Sequence, residues 1–153
     1  MRRTIVAWLA VLAAACGGGD ARDDEVRAAQ ELHFVPIEQA QQSGVREERF
    51  AVVRDDAAWR ALWDEHKRFF APPPPPPAVD FTREMVIAVF LGERPNLCYA
   101  VAIEAIRAAA ALLVEYREHA PPPAALCGAA LSFPAHLVRL QRSAAPVQFV
   151  KRD

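Results

Sequence analysis

Residues 85–91 read MVIAVFL, seven apolar side chains in succession, closed by Gly92. A strand with one face in water alternates apolar and polar residues, and this stretch does not alternate. Its length suits a strand, and the glycine gives it a defined end. The segment is therefore read as a strand buried on both faces.

Working downstream, the pattern turns to period two. Tyr99, Val101 and Ile103 alternate with Ala100, Ala102 and Glu104, and Leu112, Val114 and Tyr116 alternate with Leu113, Glu115 and Arg117. His136, Val138 and Leu140 alternate with Leu137, Arg139 and Gln141, and Val147–Val150 closes the sheet. One stretch is in conflict. Residues 101–116 (VAIEAIRAAAALLVEY) are rich in strong helix formers, and Ala108–Ala111 lacks the Gly or Asn of a tight hairpin. Propensity asks for a helix and alternation for two strands, and the residues alone leave both open.

Upstream lie six prolines, Pro72–Pro77. They can join neither a helix nor a central strand, so they are expected as a stiff polyproline II connector on the surface. A connector is preferred here to a ligand for an aromatic groove. Before them, DDAAWRALWDEHKRFF (residues 55–70) places Trp59, Leu62, Trp63 and His66 at helical spacing, with Arg60, Asp64, Glu65 and Lys67 opposite. Asp55 or Asp56 is suited to cap this helix. The two tryptophans are expected to pack in the core. Val45–Val53 reads as a further strand.

The N-terminus carries an address. Arg2 and Arg3 precede the apolar stretch Ile5–Leu12, and Ala13, Ala14 and Ala15 lead directly into Cys16. The apolar run is too short to span a bilayer, which takes about 20 residues. The LAAAC string resembles the bacterial lipobox, which implies a signal peptide over residues 1–15 and lipidation of Cys16. Residues 16–31, opening on three glycines and then polar, read as a flexible tether. Residues 32–153 are left for one domain with a single core. The expected protein is exported and held to a bacterial membrane by acyl chains on Cys16. Gly17 rather than Asp after the cysteine favours the outer membrane where there are two.

Loss of Arg2 and Arg3 with the signal leaves 16 of the 18 basic residues against 19 acidic, a net charge of −3. That balance provides no footprint for nucleic acid. With Cys16 lipidated, Cys98 and Cys127 are the two cysteines left, so one disulfide is possible, and outside the cell it persists. A redox or metal pair is disfavoured, because there is no CxxC and no histidine at ligand spacing.

No nucleophile elbow, P-loop, dinucleotide fingerprint or HExxH motif occurs. His33, His66, His119 and His136 are scattered, and Ser132 and Ser143 lie in no motif. The chain is read as non-catalytic, with no metal and no cofactor.

Several strings taken together resemble one family, the C-terminal domain of the protease complex subunit PrcB. They are AAWRALWDEH (57–66), VDFTREMVIAVFLGERP (79–95), YAVAIEAI (99–106) and FPAHLVRLQRSAAPVQF (133–149). The resemblance runs from about His33 to Val150 and implies an α+β domain, one amphipathic helix packed on an antiparallel sheet, with two strands over residues 101–116. Where the family usually has Thr-Gly-Gly-Tyr, this chain has Asn96, Leu97, Cys98 and Tyr99. A crosslink from Cys98 to Cys127 is expected to replace the glycines in fixing that loop. The resemblance further implies a binding module that helps assemble or stabilise an exported protease or another envelope protein. The expected contact residues are Glu93, Arg94, Pro95, Asn96, Leu97 and Tyr99, together with the loop Pro121–Cys127, since loops on a rigid scaffold carry function. The alternatives are a small-ligand binder with a pocket near Trp59, Trp63 and Tyr99, or a structural envelope lipoprotein.

Overall fold

The structure, a computed structural model, describes residues 30–153. The expected signal peptide, Cys16 and the expected tether as far as residue 29 lie outside the described residues. In chain order the elements are β1 (Gln30–Glu31), β2 (Phe34–Ala40), β3 (Glu48–Val53), α1 (Asp56–His66), β4 (Glu84–Leu91), β5 (Ala100–Ala108), β6 (Leu112–His119), β7 (Ala135–Gln141) and β8 (Val147–Arg152).

The MVIAVFL run is β4, and its neighbours explain its composition. It pairs antiparallel with β3 on one side and β7 on the other, in a sheet ordered β2-β7-β4-β3. Met85, Ile87, Val89 and Leu91 point to a second sheet, ordered β1-β5-β6-β8, and meet Val101, Ile103, Ile106, Leu112, Val114 and Tyr116. Val86, Ala88 and Phe90 point the other way, onto Trp59, Leu62 and Trp63 of α1. The domain is thus three layers, sheet on sheet on helix, with β4 and β7 in the middle.

The α+β class with one helix among the described residues is as expected, but there are two four-stranded sheets and not one. The physical reason is that a helix covers one face only. A strand apolar on both faces needs a second layer, and the alternating strands β5 and β6 supply it with their apolar edge-on rows. β8 also differs from a wholly antiparallel sheet, since it runs parallel to β6. It arrives from β7 in the other sheet by crossing between layers, so no hairpin dictates its direction. At the N-terminus, Gln30 and Glu31, assigned to the tether, form β1 against Ala108 and Arg107.

Residues 101–116 form two strands. Burial wins over helix propensity because Val101, Ile103, Ile106, Leu112, Val114 and Tyr116 all enter the space between the sheets. A register shift between Ile103 and Ala105 resets the alternation, so that Ile106 joins the core and Glu104 stays out.

α1 begins at Asp55, whose carboxylate accepts the Ala58 N–H at 2.8 Å. It ends at Lys67, whose N–H returns to the Trp63 carbonyl at 2.8 Å. Gly44 donates its N–H to the His66 carbonyl at 2.8 Å. A Cβ at residue 44 would lie 1.9 Å from the Glu65 carbonyl oxygen, so the close approach requires glycine there. Gly92 ends β4 at φ +73°, a conformation that favours glycine. The proline run returns along α1. Trp63 Nε1 donates to the Pro74 carbonyl at 2.8 Å, and Trp59 Nε1 to the Pro77 carbonyl at 3.0 Å.

Candidate functional site

Two loops at one end of the sheets converge: 92–99, between β4 and β5, and 120–134, between β6 and β7. Cys98 and Cys127 are joined as a disulfide with their Cα atoms 5.7 Å apart. Around this link the backbones are laced together. Arg94 and Ser132 exchange N–H···O bonds of 2.8 and 2.9 Å, and Leu97 N–H donates to Gly128 O at 3.1 Å. Ser132, fully buried, donates its Oγ–H to Asn96 O at 2.6 Å. Gln41 and Gln42, following β2, donate from Nε2 to the carbonyls of Leu97 and Leu131.

The residues expected to meet a partner divide into two groups. Arg94 is committed inward: its Nε lies 2.6 Å from Glu118 Oε1, and Nη1 donates to the Leu91 and Glu93 carbonyls. Asn96 accepts the Cys98 N–H on its own Oδ1 and so holds the turn. Leu97 packs over Gly128, where a Cβ would come within 3.0 Å of Leu97 Cδ1. Tyr99 is half-buried, while Glu93 and Pro95 face water. These first three residues set the shape of the loop, and the exposed ones decorate it.

The turn does not need the family's two glycines. The one non-glycine residue at positive φ among those described is Ala124, at 65°, in the opposite loop. Asn96 and the disulfide fix the turn instead. Across from it, residues 120–131 (APPPAALCGAAL) contain no charge, and most are exposed. Ala125 N–H turns back to Pro122 O at 3.1 Å. Leu126, one residue from the disulfide, is fully exposed, and Leu131 is half exposed. Leu126 thus forms an apolar knob on a loop pinned by the disulfide.

Glu118 in β6 ties this end to β8. Its carboxylate accepts from Arg94 at 2.6 Å and from Lys151 at 2.7 Å. The hydrogen bond from Arg94, assisted by Lys151, holds Glu118 down to about 2 and raises Arg94.

The histidines do not converge. His136 is buried, and its Nδ1 accepts the Ile103 N–H at 2.7 Å, which fixes a neutral ring; burial lowers its pKa. His66 is buried between Ser43 Oγ, 2.8 Å from Nδ1, and Glu38 Oε2, 3.2 Å from Nε2, and burial again lowers its pKa. Lys67 closes on the other Glu38 oxygen. This Ser–His–Glu set has the members of a nucleophilic triad, but Ser43 is wholly buried and already accepts the Val45 N–H. In this arrangement it joins the β2–β3 connection to the end of α1. Among the described residues, no group of three or more His, Cys, Asp or Glu is placed to hold a metal ion. Trp59 and Trp63 are 1% and 4% exposed and belong to the helix-side core.

Sequence reasoning included Leu126 only as part of the expected contact loop Pro121–Cys127, noted Ser132 only as lying in no motif, and missed Ser43 and Leu131. The serines give no local signal, because their value comes from partners far along the chain. The leucines had one: twelve successive uncharged residues in a segment without strand or helix periodicity.

The model of the PrcB C-terminal family matches residues 85–141, from β4 to the end of β7, a span that includes both loops and the disulfide. No curated protein and no solved structure matches the chain. Over this segment the chain is similar to the PrcB C-terminal family.

Proposed function

We propose that this PrcB-like protein is a lipid-anchored, extracytoplasmic binding module that uses the crosslinked loop pair to hold another exported protein, and that it is not itself a catalyst. The observation that carries the reading is the fully exposed Leu126 on a loop fixed by the Cys98–Cys127 link. An apolar anchor already held in one conformation loses little freedom on binding, which favours affinity. The lipobox-like string ending at Cys16 supports the anchor, and two or three acyl chains make such anchoring stable. A role in assembling or stabilising a protease complex is what the resemblance to the PrcB C-terminal family implies, and it is part of this proposal.

The test is site-specific photocrosslinking in the native cell, with the probe at Leu126 and, as control, at Ala57 on the exposed side of α1. A discrete adduct with one exported protein from position 126 alone supports the reading. Equal, diffuse adducts from both positions refute it. Metabolic labelling with a radioactive fatty acid tests the anchor: label must appear on the wild type and vanish in Cys16→Ser.

A further inference from the structure

The two sides of the crosslinked loop end are held in different ways. Residues 92–99 and 128–132 are tied together by the paired backbones of Arg94 and Ser132, by Leu97 N–H to Gly128 O, and by Ser132 Oγ to Asn96 O. Gln41 and Gln42 add two more bonds, to the Leu97 and Leu131 carbonyls. Residues 120–127 have nothing comparable. The hydrogen bond from Ala125 N–H to Pro122 O stays inside the segment, and no hydrogen bond joins the segment to another described residue. Packing does not fix it either, since Ala120 and the residues from Pro122 to Leu126 are exposed. What fastens this segment across to the opposite loop, and Leu126 with it, is the Cys98–Cys127 bond. The fastening is also within reach from outside: Cys98 is exposed and Cys127 half-buried.

We propose that the disulfide is a reversible latch on the binding loop: a dithiol reductant of the cell envelope opens it, frees residues 120–127 and leaves the rest of the domain folded. A thiolate of the reductant attacks the sulfur of the exposed Cys98, the S–S bond breaks, and Cys127 leaves as a thiolate. The second thiol of the reductant then displaces Cys98 from the mixed disulfide, and the reductant ends as a disulfide itself. Two electrons pass to the two cysteines, and the two protons of the dithiol end on their thiols. The body of the domain persists because neither sulfur takes part in the bonds across residues 92–99 and 128–132 or in the core between the sheets. A freed segment must be ordered again at each encounter, which weakens binding. That consequence rests on the binding role proposed for Leu126, whereas the opening of the latch does not.

The experiment treats the full-length protein with elastase, which cuts beside small residues such as Ala124 and Ala125, with and without dithiothreitol. Reduction is expected to speed cleavage within residues 120–127 roughly tenfold, with tryptophan fluorescence unchanged and no new cuts among residues 30–119 and 128–153. Removing the reductant in air restores the protection. Cys98→Ser shows the fast cut without reductant and does not respond to it, which assigns the effect to this bond. Equal cutting in both states, or cutting throughout the domain on reduction, overturns the latch. The binding arm is the photoadduct from position 126 in isolated envelopes, expected to be lost on reduction and, without any reductant, in Cys98→Ser. An adduct indifferent to both overturns control of binding by the latch. No adduct in any state refutes the binding role itself, and the elastase result still decides the latch.

Discussion

Glu118, His66 and His136 each have an ionisation tied to the folded state. Glu118 falls from the ordinary 4.5 to about 2, so the unfolded chain binds more protons between those values and stability rises with pH across that window. Its contribution is complete above 4.5 and is lost as the pH falls toward 2. Urea unfolding of wild type and Glu118→Gln should differ by up to about 3 kcal/mol near neutrality and converge in strong acid. A gap independent of pH would refute the ion pair's role. The histidines are lowered from 6.5 by burial, so they too favour the fold above 6.5 and oppose it as the pH falls below. His136→Asn keeps an acceptor for the Ile103 N–H and removes the titration. Its melting temperature should depend less on pH than the wild type's between about 7 and 5. His66 was legible in the sequence as a residue of the helix's apolar face, but its partners were not. Glu38 and Ser43 lie more than twenty positions away, and only the folded layers bring them within reach.

At the scale of elements, α1 and the proline rod form a pair. The helix was legible from its spacing, with Asp55 as cap, and the rod from its composition. That the tryptophans bind the rod was not, because an indole N–H leaves no mark in a hydrophobic pattern. Trp63→Phe keeps a ring in the core and deletes the bond to Pro74, and should cost about 1 kcal/mol by thermal denaturation. An unchanged melting temperature would mean the rod is held by packing alone. β4 was legible because a strand with no polar face can occupy few places. The number of sheets was not: period-two alternation says that β5 and β6 have a buried side without saying what lies against it. The alanines at 108–111 removed even the hairpin signal, and there the inter-sheet core decided the outcome.

For the molecule as a whole, the disulfide is the largest single constraint on the loop end. It closes a separation of 29 residues, and its removal in Cys98→Ser should lower stability by about 2–4 kcal/mol under oxidising conditions. Coincident unfolding curves for mutant and wild type would sink that expectation. The three-layer arrangement has a further consequence, which concerns the chain before it folds. The apolar run Met85–Leu91 of β4 offers no position facing water where a charge would be tolerated, so it travels unprotected until β7, which follows after two intervening strands, reaches its open side. Uncharged, β-prone segments of this length are the ones that associate between chains. Arg83 and Glu84 before it, and Glu93 and Arg94 after Gly92, stand as gatekeepers on its flanks. Stripping charge from those flanks should therefore lower the yield of soluble protein, whatever happens to the stability of molecules that do fold.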